Sequence, residues 1–306
     1  MTGNVQPPGA VIELLGRPRA HATSLDPRGH PWLLEDDDAW RAVLRRSRPR
    51  ADELKASLEH VAWLHRFLDR LAPVTRVGAP KPLPALAGDS VAVIDGELWE
   101  LLAYVPGRAL LWDPAVPVES AGAALARFHQ ASILVSPAEQ RPLALPMEAC
   151  HPLTLPAIAE RFQRRLADSG HTDTPTCVLH GDATVSNMLV DEHVPEVSGL
   201  IDFALAHLGP PESDISFALW VAGRTHQPAT VLDAQRVQAF VAGYHRVRPL
   251  TASAISMIPL YLVGRGLQML VRLERAGARD EIQLSRIVWL DEHQAWLQDV
   301  VAAALE

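Results

Sequence analysis

The chain has 306 residues, 48% of them hydrophobic and 21% charged, with a formal net charge of −8 at pH 7. That balance can fill a sizeable core and excludes a disordered chain. The acidic surplus argues against a nucleic-acid partner, which needs a basic face, and is compatible with a cationic small molecule. Cys150 and Cys177 are the two cysteines, too few for a disulfide framework. The opening stretch MTGNVQPPGAVIELLGRPRA lacks the basic-then-apolar order of a secretory signal. The length predicts about two domains.

In chain order, the first hundred residues predict strands, one helix and a hairpin. AVIELL (10–15) and AVLRR (42–46) are strand candidates, with turn chemistry in DPRGHP (26–31) and EDDDAW (35–40). Leu54, Leu58, Val61, Leu64 and Leu68 recur at helical spacing, with Asp52 as the expected N-cap. A proline-rich loop, APKPLPALAGD, leads into two strands, SVAVID and ELWELLAYV, joined at Gly96. Beyond residue 105 the texture becomes helical: VESAGAALARFHQAS, LTLPAIAERFQRRLAD and everything after Val231. The apolar stretch 254–271 is interrupted by Pro259, Arg265 and Gln268, and predicts a buried core helix rather than a membrane span. The expected architecture is α+β, with a β-rich lobe over 1–104 and a mostly helical lobe over 105–306. The expected location is cytoplasmic, with no membrane partner.

One segment interrupts the helices with short strands and acidic loops: VLHGDATVSNMLVDEHVPEVSGLIDFALAHLGPPESDIS, residues 178–216. Asp182 follows a short apolar strand, Asn187 lies five residues on, and Asp202 ends a second apolar run. An unpaired buried carboxylate costs several kcal/mol, so a purely structural segment avoids such placements. Phosphoryl transfer from a nucleotide asks for them. One carboxylate orients and deprotonates the attacking hydroxyl, hard oxygen ligands hold magnesium, and a distant cation steadies the phosphates.

HGDATVSN followed by LIDFALAHLGPPESDIS resembles the signature of the aminoglycoside phosphotransferase and choline kinase superfamily, whose members have a protein-kinase-like two-lobed fold. The resemblance implies Asp182 as the catalytic base and Asn187 and Asp202 as magnesium ligands. It also implies that Asp214 holds the catalytic loop through backbone N–H groups and that His180 is a structural residue of that loop. His129 is read as structural on the same ground. In the first lobe, Ala42-Val43-Leu44-Arg45 stands where such folds carry a lysine on the third strand. Arg45 then faces the α- and β-phosphates with Glu59 as its helix partner, and Arg46, on the opposite face by strand alternation, is the competing choice. Backbone groups from Leu101 to Ala103 are expected to meet the nucleotide base. Gly16 is the single glycine of the stretch LLGRPRAHATSL, so no Gly-x-Gly-x-x-Gly covers the triphosphate.

The implied activity is magnesium-dependent phosphorylation of a small-molecule hydroxyl by ATP or GTP. The first-choice acceptor is an aminoglycoside-type antibiotic, implying resistance, with homoserine, choline or a sugar-like metabolite as the alternative. Glu212, Asp233, Glu274, Asp280, Glu281 and Asp291 are the carboxylates available to an amine-bearing acceptor. A catalytically silent nucleotide-binding module and a metal-dependent hydrolase are the rivals from other classes. A protein kinase fits less well, because Asp202-Phe203-Ala204 lacks a third-position glycine and no Ala-Pro-Glu follows.

Overall fold

The computed structural model describes residues 6–14, 16, 19–26, 30–84, 88–136, 150–169, 177–226 and 229–305. Parts of the stretches singled out above lie outside these residues: 1–5 of the N-terminus, 15, 17 and 18 of the stretch before the first strand, 27–29 of the first turn and 85–87 of the proline-rich loop. The chain forms two compact units, Met1–Val74 with Gly78–Pro106, and Thr75–Val77 with Gly107–Glu306.

The first unit is built on a five-stranded antiparallel sheet in the order β1-β2-β3-β5-β4. Its strands are β1 (His21–Ser24), β2 (Trp32–Glu35), β3 (Arg41–Ser47), β4 (Val91–Ile94) and β5 (Glu97–Ala103). The EDDDAW turn joins β2 to β3, with Asp36 Oδ1 accepting from the Asp38 and Trp40 N–H groups at 3.1 Å each. Period-two alternation sends Trp32, Leu34, Ala42, Leu44, Trp99 and Leu101 to one face, where Val11 completes a core. Val11 belongs to helix α1 (Gly9–Leu14), so AVIELL is not a strand. A run this short is apolar in either conformation, and here Pro8 starts the helical hydrogen bonding by accepting from Val11 N–H at 2.9 Å.

Helix α2 (Leu54–Leu71) buries Trp63, Leu64, Phe67, Leu68 and Leu71. Its N-cap is Glu53, which makes no side-chain cap bond, and Asp52 instead pairs with Arg50 at 3.5 Å. The expected cap at Asp52 is therefore displaced by one residue.

The second unit carries the predicted β insertion. Strand β7 (Cys177–Leu179) pairs with β10 (His207–Gly209), and β6 (Arg108–Ala109), β8 (Met188–Val190) and β9 (Val197–Leu200) form a second small sheet. Around them lie α3 (Val118–Val135), α4 (Pro156–Asp168), α5 (Pro211–Ala222), α6 (Ala234–Val247), α7 (Ala252–Arg275), α8 (Glu281–Glu292) and α9 (Gln294–Ala303). The last predicted helix is thus two, broken at His293. Helices α3 and α6 touch backbone to backbone: a Cβ at Gly122 would lie 1.9 Å from Phe240 O, and one at Gly243 2.0 Å from Glu119 O. Helix α7 is long and apolar enough to cross a membrane, yet 83% of its apolar window is buried within the protein, as expected for a core helix.

Candidate active site

The loop after β7 is clamped by one buried carboxylate. Asp214, in the first turn of α5, accepts from His180 N–H at 2.7 Å and Gly181 N–H at 2.9 Å. His129 on α3 adds a third bond through Nε2 at 3.1 Å, and its Nδ1 lies 2.8 Å from the Tyr244 hydroxyl. Burial by itself raises the Asp214 pKa, but the His129 hydrogen bond, the charge of His129 and the backbone donor at His180 outweigh it and hold the carboxyl well below the usual range. Gly181 has φ 78°, and a Cβ there would lie 2.1 Å from Leu205 O, so no larger residue fits.

His180 is buried and neutral. Its Nε2 donates to Ile201 O at 2.9 Å, which leaves Nδ1 to accept from Asp182 N–H at 3.2 Å. Burial drives its pKa down. The ring packs on Phe203 at 4.3 Å between centroids, and Phe203 packs on Phe128 at 5.5 Å. One imidazole thereby ties the loop of Asp182 to the strand end that presents Asp202.

Asp182 itself is partly exposed. Asn187 Nδ2 donates to Asp182 Oδ2 at 3.0 Å and to Asp182 O at 2.9 Å. Asn187 O accepts from Ile201 N–H at 2.9 Å, which joins the Asn187 strand to the Asp202 strand. Burial, and then the negative charge of Asp202, push the Asp182 pKa from 3.8 up to about 6. Asp202 sits in the left-handed region at φ 63° and ψ 68°, a conformation that aspartate tolerates better than most residues and that clusters at functional sites. The Asp182 and Asp202 carboxylates and the Asn187 amide oxygen are hard oxygen donors of the kind that suits magnesium.

Arg265 joins this site without having been predicted for it. On α7, buried, it donates through Nη2 to Gly181 O at 2.8 Å and through Nη1 to Gln268 Oε1 at 2.9 Å, with Phe217 under its guanidinium at 4.7 Å. Burial lowers its pKa to about 10, so it stays charged at neutral pH. In the sequence it reads as an interruption of an apolar helix, which is the available signal.

In the first unit, strand alternation separates the two arginines as expected. Arg46 lies over Trp32 and Trp99, 5.5 and 5.6 Å from their centroids, on the face of the apolar core. Arg45 is on the other face, 3.7 Å from Glu100 on β5. Glu100 also accepts from His65 of α2 at 2.9 Å, and His65 Nδ1 lies 2.7 Å from the Ser90 hydroxyl. Burial raises the Glu100 pKa, but the His65 hydrogen bond and the Arg45 charge more than offset it, so the net shift is downward. Glu59, the expected partner, is exposed on α2. The buried carboxylate beside Arg45 comes from the neighbouring strand, and the helix contributes a histidine. Two of the backbone groups expected to meet the base are hydrogen-bonded within the first unit. Leu101 O accepts from Leu83 N–H at 2.8 Å, and Ala103 N–H donates to Lys81 O at 2.7 Å.

Most of the carboxylates offered for an amine have structural partners. Asp233 and Asp280 cap α6 and α8. Glu274 accepts from Leu153 and Thr154 N–H groups at 2.9 Å each. Glu281 pairs with Arg279, and Asp291 with Arg161 at 2.6 Å. Glu212 is buried, with Oε2 unpartnered among the described residues.

The sheet with its helix and the helical unit with its clamped loop are those of a protein-kinase-like phosphotransferase fold. The chain is similar in structure to a microcompartment-associated aminopropanol kinase, with a TM-score of 0.62, 20% identity and 94% of each chain covered. It is also similar to an amicoumacin kinase in complex with AMP-PNP and Ca2+, with a TM-score of 0.63, 16% identity, and 92% and 88% of the two chains covered. The sequence signature of the phosphotransferase enzyme family (APH) matches residues 29–250, and the chain belongs to that family. Among curated relatives, it is 28% identical to the homoserine kinase of Methylobacterium radiotolerans over 211 residues, 64% of each chain. The match thus spans less than two thirds of that relative's length.

Proposed function

We propose that this protein transfers a phosphoryl group from ATP or GTP to a hydroxyl of a small molecule. The observation that carries the reading is the pairing of Asp182 with Asn187 under the charge of Asp202, on a loop clamped by Asp214. With a pKa of about 6, Asp182 is ionised at neutral pH yet basic enough to accept a hydroxyl proton as the bond to phosphorus forms. Asp202 and the Asn187 amide oxygen would hold magnesium, which when bound neutralises phosphate charge. Arg45, steadied by Glu100, serves the α- and β-phosphates, and residues 1–104 make up the nucleotide-binding lobe. His180, Asp214 and Arg265 fix the loop and touch no reacting atom.

The acceptor is a small hydroxylated metabolite rather than an aminoglycoside. Two things support this choice. The curated relative acts, by its name, on homoserine, and five of the six carboxylates that would receive a polycation already cap helices or hold ion pairs or loop amides.

A coupled nucleoside-diphosphate release screen over hydroxy amino acids, amino alcohols, choline, sugars and aminoglycosides tests both points. Release above background with a hydroxy metabolite, lost in Asp182→Asn, is the expected result. Turnover only with aminoglycosides overturns the acceptor choice. Release with no acceptor in any class overturns the activity.

A further inference from the structure

One buried carboxylate of the first unit interrupts an apolar pattern. Along β5, Leu98, Glu100 and Leu102 alternate onto the face turned away from the core of Trp99 and Leu101. Leu98 is 2% exposed, Glu100 7% and Leu102 5%, so a third apolar side chain would suit the position between the leucines. A buried carboxylate there is costly unless it is paired and hydrogen-bonded. An apolar replacement for a buried ion pair is often neutral or stabilising, so stability gives no reason to keep charge on this face. What Glu100 does to its neighbours gives one.

Its two oxygens are used differently. His65 of α2, 2% exposed, donates through Nε2 to Glu100 Oε2 at 2.9 Å, and the Ser90 hydroxyl lies 2.7 Å from His65 Nδ1. A ring that donates from Nε2 can accept the Ser90 hydroxyl proton at Nδ1, so Ser90 favours the tautomer that serves Glu100. Arg45 Nη1 approaches the other oxygen, Oε1, at 3.7 Å, within ion-pair range but beyond a hydrogen bond. A carboxylate given an arginine alone draws it into two parallel N–H bonds. Here His65 occupies Oε2, which blocks that two-pronged capture. Glu100 can then orient the guanidinium by charge without taking its paired donors.

We propose that His65 is a positioning residue for the nucleotide: it holds Glu100 so that Arg45 stays presented to the phosphates, and Ser90 keeps His65 donating. This role rests on the phosphotransfer reading, with Arg45 as the phosphate-facing cation. It places a determinant of nucleotide affinity on α2 and just before β4, at residues that touch no reacting atom.

Two substitutions of His65 separate positioning from packing. Glutamine carries its amide nitrogen near the Nε2 position and keeps a donor for Glu100. Asparagine carries its amide nitrogen near Nδ1, within reach of Ser90 and short of Glu100. The full chain is titrated calorimetrically with magnesium-bound AMP-PNP and GMP-PNP. His65→Asn should weaken the better-bound nucleotide by about tenfold, the loss of one charge-assisted hydrogen bond, and His65→Gln should stay within about threefold of wild type. In the coupled assay the nucleotide KM should follow the same order, with kcat and the acceptor KM changed less than about threefold. On an Arg45→Ala background, His65→Asn should add no further loss, because both substitutions remove one contact. A fall in Tm in both His65 variants, with nucleotide affinity unchanged in both, overturns the proposal and leaves His65 a packing residue. So does a loss in His65→Asn that persists undiminished without Arg45. Should His65→Asn fail to fold, Ser90→Ala carries the test: it should weaken nucleotide by about threefold, and unchanged affinity overturns the role. Unchanged affinity in Arg45→Ala itself overturns the assignment of Arg45 to the phosphates, and this role with it. Loss of turnover in Asp182→Asn bears on the phosphotransfer reading independently.

Discussion

Replacing Asp182 by Asn should stabilise the metal-free protein while removing its activity. The Asp182 carboxyl titrates at about 6 in the fold against 3.8 ordinarily, so the folded state holds the proton more tightly than the unfolded chain. The ionised form is therefore disfavoured by folding. The penalty is absent below 3.8, grows as pH rises to 6, and is complete above it. The gap between those two titration points amounts to about 3 kcal/mol. Asp182 is partly open to solvent, and screening reduces the expected gain to about 1–2 kcal/mol. Asparagine keeps an acceptor for the Asn187 amide, so the 3.0 Å bond survives. Thermal unfolding in chelator should show Asp182→Asn more stable than wild type by a few degrees at pH 8 and by about half as much at pH 5. Turnover in the coupled assay should fall by about two to four orders of magnitude, the span of general-base losses. A variant no more stable than wild type at pH 8, or one whose gain is larger at pH 5, would refute the electrostatic argument. Retention of more than a tenth of turnover would refute the role of Asp182.

Other perturbations separate the remaining parts of the site. Asp214→Ala strands the His180 and Gly181 amides and His129, and should lower stability by about 3–5 kcal/mol in denaturant melts; a loss under about 1 kcal/mol would mean that the clamp is dispensable. Arg45→Ala should raise the nucleotide KM, with partial recovery in Arg45→Lys. Arg46→Ala should leave the nucleotide KM near wild type, although loss of its stacking on Trp32 and Trp99 should lower the Tm slightly; the reverse KM pattern would place the wrong arginine at the phosphates. Asp202→Ala should weaken calorimetric binding of magnesium-nucleotide more than Asn187→Ala, since it removes the charged ligand; equal and wild-type-like binding in both would break the ligand assignment. Gly181→Ala forces a Cβ against Leu205 O and should leave little folded, active protein, as judged by circular dichroism and turnover.

The sequence by itself determined what local spacing can encode. The apolar strand before His180, the five-residue step from Asp182 to Asn187 and the run ending at Asp202 are contiguous, so their composition announces strand, loop and strand end without reference to the rest of the chain. Alternation along β3 likewise put Arg45 and Arg46 on opposite faces. Where a run was short, locality failed: AVIELL is apolar enough for either conformation, and in the folded chain Val11 joins the core of Trp32 and Leu44 from a helix. Partner choice was beyond local reading. Glu100 stands beside Arg45 because β5 pairs with β3 at that register, Arg45 opposite Glu100. Arg265 reaches Gly181 across 84 residues of sequence separation, and Arg286 meets the Ala229 carbonyl across 57. Such pairings have no signature in a single sequence, because any of many buried positions could supply the charge. Tertiary structure decides them, since burying a guanidinium or carboxylate is tolerated only where the folded chain brings a complementary group within hydrogen-bond reach, or leaves room for a ligand to do so.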